Sequence, residues 1–175
     1  MKGRNDKPHI GIFGRRNNGK SSLINAITGQ EVAIVDSTAG TTTDPVRKSI
    51  EIFGIGPCII IDTAGIDDEG TVGAKRIQKS LEVLKIIDLA ILVITDYEVG
   101  IPERQLMEQF RQFELPYLIV LTKGDKLSKG KCLQQQAAIA RQLNVAEDVP
   151  LIITSSAKKQ GLDDLRQEIE RSLQL

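Results

Sequence analysis

The chain has no tryptophan, and aromatic residues make up only 3% of its 175 positions. Its core must therefore be aliphatic, drawn from runs of Ile, Leu and Val. Cysteine is scarce too, with Cys58 and Cys132 the only two, and nothing in their placement resembles a disulfide framework or a metal cluster. Cys58 lies in an apolar run and reads as a buried strand residue, whereas Cys132 lies in a polar helical stretch. The one histidine, His9, stands at the start of the first apolar run, where a structural role is expected. An excess of charge is also missing: Lys plus Arg number 23, and so do Asp plus Glu. A neutral chain lacks the broad positive field that non-specific binding to nucleic acid or an anionic membrane requires, so neither is an expected partner. The local basic groupings are Arg15 with Arg16, and Lys123, Lys126, Lys129 and Lys131, the latter reading as a solvated face. No apolar stretch reaches spanning length, and no secretory or lipidation motif is found, so the cytoplasm is the expected compartment.

What is present is an ordinary globular composition, 41% hydrophobic and 26% charged. It suits one compact domain over residues 1–175. Strands are expected at His9–Phe13, Ser49–Phe53, Cys58–Asp62, Leu89–Ile94, Tyr117–Leu121 and Leu151–Thr154. Helices are expected at Gly19–Thr28 (ended by Gly29), from about Gly73 to about Lys85, and at Pro102–Phe113, Lys131–Leu143 and Leu162–Leu173. The short joint at Gly54, Gly56 and Pro57 makes the second and third strands an antiparallel pair. The unbroken apolar run Leu89–Ile94 suits a strand covered on both faces. Six strands alternating with five helices call for an α/β fold with a mostly parallel sheet, one antiparallel strand and helices on both faces. Ligands of such sheets bind outside the carboxyl ends of the strands, and five of the six strand ends here carry polar signatures.

After the first strand comes Gly14-Arg15-Arg16-Asn17-Asn18-Gly19-Lys20-Ser21. This is the G-x-x-x-x-G-K-[ST] phosphate loop in its strand-to-helix setting. Its glycines let several backbone N–H groups face a phosphate, and the helix opening at Gly19 adds a positive dipole end. Asn17, Asn18, Gly19, Lys20, Ser21 and Ser22 are the candidate phosphate-binding residues. Lys20 brings a point charge to the β and γ phosphates, and Ser21 a hydroxyl to Mg²⁺.

Two later strand ends select the base. Thr122-Lys123-Gly124-Asp125 resembles the [NT]-K-x-D motif of GTPases. Asp125 would accept from N1–H and the 2-amino group of guanine, donors that adenine lacks. A site built for such bonds rejects an analogue without them by roughly 10⁴-fold or more. The stem of Lys123 would pack on the base. Ser156-Ala157-Lys158 resembles the S-A-K motif, in which the N–H of Ala157 would meet the guanine carbonyl oxygen. GTP and GDP are therefore the expected ligands.

Asp62-Thr63-Ala64-Gly65 closes the third strand. Asp62 would hold Mg²⁺ through water, and the N–H of Gly65 would meet the γ-phosphate. In Gly40-Thr41-Thr42-Thr43-Asp44, Thr42 is the expected ligand of Mg²⁺ and γ-phosphate, with Thr41 as the alternative register. Contacts made only to a third phosphate would order both segments, and hydrolysis would release them.

These five motifs, in this order, resemble the Era and MnmE-like branch of small GTPases, a P-loop NTPase G domain. The residue after Gly65 is Ile66, where Ras-like enzymes keep a water-orienting glutamine. Asn17 matches the position that ligates K⁺ in potassium-activated members, so the resemblance implies hydrolysis stimulated by K⁺. Lys20, Thr42, Gly65 and Asn17 are then the catalytic set. Ser21, Thr42 and Asp62 serve Mg²⁺, and Asn17 serves K⁺. Thr43 stands where the branch usually has arginine, and Pro45 follows Asp44. With Gly11-Ile12-Phe13-Gly14-Arg15-Arg16-Asn17, this looks most like the G domain of HydF, a family that matures [FeFe]-hydrogenase. That resemblance implies hydrogenase or its maturation proteins as partners and a homodimer through the switch face. It also implies dimerisation and iron–sulfur domains outside this chain, with no Fe–S cluster within it. The alternatives are a ribosome-assembly or tRNA-modifying GTPase of the same branch, and a GTP/GDP switch with negligible hydrolysis.

Overall fold

The computed structural model describes residues 7–15, 19–28, 46–52, 54–62, 82–95, 99–122 and 128–174. In chain order the elements are β1 (His9–Gly14), α1 (Lys20–Thr28), β2 (Val46–Ile52), β3 (Gly56–Asp62), β4 (Leu89–Ile94), α2 (Ile101–Gln112), β5 (Tyr117–Leu121), α3 (Lys129–Gln142), β6 (Leu151–Ile153) and α4 (Leu162–Ser172). The strands form one six-stranded sheet in the order β2-β3-β1-β4-β5-β6. Only β2 runs antiparallel, against β3, with Val46 opposite Asp62 and Ile52 opposite Gly56.

Four helices rather than five are found among the described residues. The fifth, expected from about Gly73 to about Lys85, falls mostly outside them. Its described tail is helical at Glu82–Val83 and ends in a turn in which Lys85 N–H donates to Glu82 O and Ile86 N–H to Val83 O, at 3.2 and 3.0 Å.

Alternation along the strands builds two apolar layers. Ile10 and Ile12 of β1, with Leu89, Ile91 and Val93 of β4, pack on one face against Leu23, Ile24 and Ile27 of α1 and Leu165 and Ile169 of α4. Phe13, Ala90, Leu92 and Ile94 pack on the other, against Leu106, Met107 and Phe110 of α2 and Ile139 of α3. All six residues of β4 are buried, as its unbroken apolar run predicts. Fully burying a side chain such as Leu or Ile contributes about 1.5–3 kcal/mol, so β4 anchors both layers. The core is not purely aliphatic. Phe13 meets Phe110 edge-on at 5.2 Å between ring centres, and Phe110 meets Tyr117 at 5.3 Å. Gly11 makes room for this cluster, because a Cβ there would lie 2.8 Å from the Phe13 ring and 2.9 Å from Ile87.

Arginines close two helix ends whose last carbonyls have no partner within the helix. Arg166 of α4 donates to Ile27 O and Ala26 O of α1 at 3.2 and 3.3 Å. Arg104 of α2 donates twice to Gln142 O at the end of α3. The Gly29 stop expected for α1 lies outside the described residues. The His9 main chain ties β1 to Asp88: its N–H donates to the Asp88 carboxylate at 2.9 Å while its carbonyl accepts from Asp88 N–H at 2.7 Å.

Candidate functional site

β1 lies between β3 and β4, so chain connections leave it toward both halves of the sheet. A crevice forms at such a switch point, outside the carboxyl ends of the strands. Gly14 ends β1 there, and Gly19, at φ 79°, leads into α1 through the left-handed conformation that glycine adopts without cost. Lys20, only 9% exposed, turns its ammonium back onto the loop. Its Nζ donates to Gly14 O at 2.9 Å and to Arg15 O at 3.4 Å. Ser21 is half-buried and Ser22 exposed, both in the first turn of α1.

Asp62 ends β3 beside Ile12 of β1. Burial raises its carboxyl pKa above the usual range, and the Lys20 charge partly opposes this. Its Oδ1 is buried without a hydrogen-bond partner among the described residues. A buried acceptor left bare costs about 1–3 kcal/mol, so the position suits a hard cation or its water shell. The donor set of Asp62 and the Ser21 hydroxyl, next to the Lys20 ammonium, therefore fits Mg²⁺ with phosphate.

At the end of β5, Thr122 is buried and its hydroxyl pairs with that of Thr95, which follows β4. Beyond β6, Ser156, Ala157 and Lys158 sit on a turn closed by two 3.0 Å backbone bonds between Ser155 and Gln160. The fully buried Ser155 Oγ accepts from Lys158 N–H at 3.1 Å. Gly161 follows at φ 72° and starts α4. The structure thus gathers Gly19, Lys20, Ser21, Ser22, Asp62, Thr122, Ser156, Ala157 and Lys158 at the carboxyl edge of the sheet. Asn17, Asn18, Thr42, Gly65, Lys123 and Asp125 lie outside the described residues, as do Thr41 and Ile66.

Two buried groups at this edge were not among the sequence candidates. Thr95 directly follows the apolar run of β4, a signal that could have marked it. Glu103 had no such signal, because its partner Arg15 lies 88 positions away. Arg15, expected to join Arg16 in a local basic grouping, is instead ion-paired with Glu103 at 2.6 Å.

A sheet wound in both directions from β1, with a phosphate loop there and a buried aspartate beside it, defines a P-loop G domain. The family described as 50S ribosome-binding GTPase matches residues 9–123, well over half of the chain, and the chain belongs to it. Relatives place it in the Era, Der and MnmE branch. The GTPase Der of Wolinella succinogenes is 34% identical over 170 residues, which cover 91% of this chain and 34% of that protein. The tRNA modification GTPase MnmE of Histophilus somni is 36% identical over 169 residues, covering 93% and 34%. The chain thus spans about a third of the length of these curated relatives. Among solved structures, an Aquifex aeolicus Era variant bound to GDP and AlF₄⁻ is similar, with TM-score 0.77, 25% identity, and coverage of 94% of this chain and 56% of that one. An Era bound to MgGDPNP and a segment of 16S ribosomal RNA shares the fold at TM-score 0.78 and 24% identity, with the same coverage. No helix among the described residues is long and apolar enough to cross a membrane.

Proposed function

We propose that this chain binds GTP with Mg²⁺ and hydrolyses it to GDP and phosphate, working as a switch. The observation that carries this reading is the buried Oδ1 of Asp62, without a hydrogen-bond partner among the described residues and within the influence of the Lys20 charge. Ser21, Thr42 and Asp62 would hold Mg²⁺, which when bound neutralises charge on the phosphates. Lys20 is held on the Gly14 and Arg15 carbonyls and would exchange those contacts for phosphate oxygens. Asp125 and the Ala157 N–H would read guanine. Ile66 cannot orient water, so positioning and charge would carry the acceleration, and Asn17 would hold a K⁺ ion that adds positive charge.

The family description, 50S ribosome-binding GTPase, and the name of the tRNA modification GTPase MnmE favour work on ribosomes or tRNA. The solved Era holds ribosomal RNA, so the neutral charge of this chain is no argument against an RNA partner. A second reading, maturation of [FeFe]-hydrogenase as in HydF, is carried by Thr43 and Pro45 in the Gly40–Pro45 segment and by the Gly11–Asn17 run. Electrophoretic shift with ribosomal and transfer RNA separates the two: retardation supports the first reading, and its absence favours the second. The shared core is tested by fluorescent-GDP binding. Competition by GTP but not ATP, weakened by chelating Mg²⁺, is expected; equal competition by ATP would overturn it. Turnover in K⁺ buffer is expected to exceed that in Na⁺, and equal rates would remove Asn17 from the K⁺ role.

A further inference from the structure

Glu103 lies in the first turn of α2 and is 1% exposed, a rare position for a carboxylate. Its neighbourhood satisfies it well. Arg15 Nε donates to Oε1 at 2.6 Å, and Arg15 Nη2 donates to Oε2 at 3.1 Å. Oε2 also accepts from Gly100 N–H at 2.9 Å. A two-pronged guanidinium–carboxylate pair fixes orientation as well as distance. Arg15 is the second residue of the phosphate loop, and its other end matters too, because its carbonyl accepts from Lys20 Nζ. One residue therefore links the buried carboxylate of α2 to the lysine that would meet the phosphates. The same pairing places the Arg15 Nε and Nη2 on a carboxylate and so offsets the Arg15 charge.

We propose that Glu103 is a positioning residue for nucleotide binding, acting through Arg15 to hold the phosphate loop and the Lys20 ammonium ready for phosphate. The inference rests on the GTP-binding reading above. With Arg15 held by Glu103 and Lys20 held on the Gly14 and Arg15 carbonyls before the ligand arrives, the ammonium already stands where phosphate would meet it. Released, the loop populates that arrangement only part of the time, and apparent affinity falls by the same fraction. If the competent share drops to about one tenth, affinity drops about tenfold.

The test compares the wild-type chain with Glu103→Gln, Arg15→Gln and the double variant, each checked for folding by circular dichroism. Fluorescent-GDP affinity and steady-state GTP hydrolysis are measured for all four. Each single variant is expected to weaken GDP about tenfold and to raise KM for GTP more than it lowers kcat. The double variant is expected to be no weaker than the worse single one, because both break one link. GDP affinity unchanged in folded variants would overturn the proposal, as would additive losses or equal falls in kcat and kcat/KM. Should Glu103→Gln not fold, Arg15→Gln alone decides by the same affinity and KM readouts. A wild-type chain that binds no GDP refutes the parent reading; a wild type that binds alongside unaffected variants refutes this one alone.

Discussion

Two glycines share a backbone conformation but differ in their surroundings, and substituting each by alanine separates strain from crowding. Gly54 has φ 85° and Gly161 has φ 72°. A Cβ at Gly54 would meet no described atom within 4 Å. A Cβ at Gly161 would lie 2.1 Å from Ile153 O, 3.1 Å from Ile153 C and 3.3 Å from Thr154 Cα, all main chain at the end of β6. Left-handed backbone costs an L-residue about 1–2 kcal/mol, offset by about 0.4–1 kcal/mol through the stiffer unfolded chain. Gly54→Ala should therefore lose about 1 kcal/mol. In Gly161→Ala the 2.1 Å contact must open to at least 3.0 Å, moving either the end of β6 or the start of α4. That places the loss in the upper tail for single substitutions, about 3–4 kcal/mol. At about 2–4 °C per kcal/mol for a domain of this size, Tm should fall by about 10 °C for Gly161→Ala against about 3 °C for Gly54→Ala. The displaced segment flanks the Ser155–Gln160 turn, so GDP affinity should fall only in Gly161→Ala. Thermal and urea unfolding by circular dichroism read the stability losses, and GDP titration reads the affinity. Losses within about 1 kcal/mol of each other would refute the crowding reasoning.

Other outcomes follow from the same site. Asp62→Asn should abolish the Mg²⁺ dependence of GTP binding while leaving the nucleotide-free chain at least as stable at neutral pH. The sign is set by the raised folded pKa of Asp62: the native state binds the extra proton, so this group's contribution to stability falls as pH rises from the ordinary carboxylate range through the raised value. Thermal melts of nucleotide-free wild type and variant should therefore diverge with rising pH, and parallel profiles would contradict the assignment. Asp125→Asn should shift preference from GTP toward xanthosine triphosphate, read by competition binding, and unchanged preference would remove Asp125 from base reading. Cys58 is buried and its thiol pKa is pushed up to about 11, so a thiol reagent at neutral pH should leave it unmodified in the native chain.

The sheet was legible because its signals are local. Leu89–Ile94 is an unbroken six-residue apolar run rich in β-branched residues, which suits a strand covered on both faces, and the Gly54–Gly56 joint pointed to the antiparallel pair. The start of β2 was read three residues late, at Ser49 rather than Val46, because Arg47 and Lys48 look like loop. On an edge strand the backbone ladder to β3 decides the boundary, and one face is free to be polar. The strand ends that carry Lys20, Asp62, Thr122 and Ser156 were legible because each follows an apolar run as a short segment with fixed spacing. The Arg15–Glu103 pair, the Arg166 cap on α1 and the Thr95–Thr122 contact were not. Each joins residues distant in sequence, and nothing local to either partner names the other.

The central claim is that Lys20 and its surroundings form a GTP-hydrolysing site. The most direct measurement is phosphate release from GTP by the purified chain in K⁺ and Mg²⁺ buffer, beside Lys20→Ala prepared identically. Steady release by the wild type, lost in Lys20→Ala and on chelating Mg²⁺, is the predicted result. Equal release by both proteins, or none by a wild type that binds GTP, would contradict it.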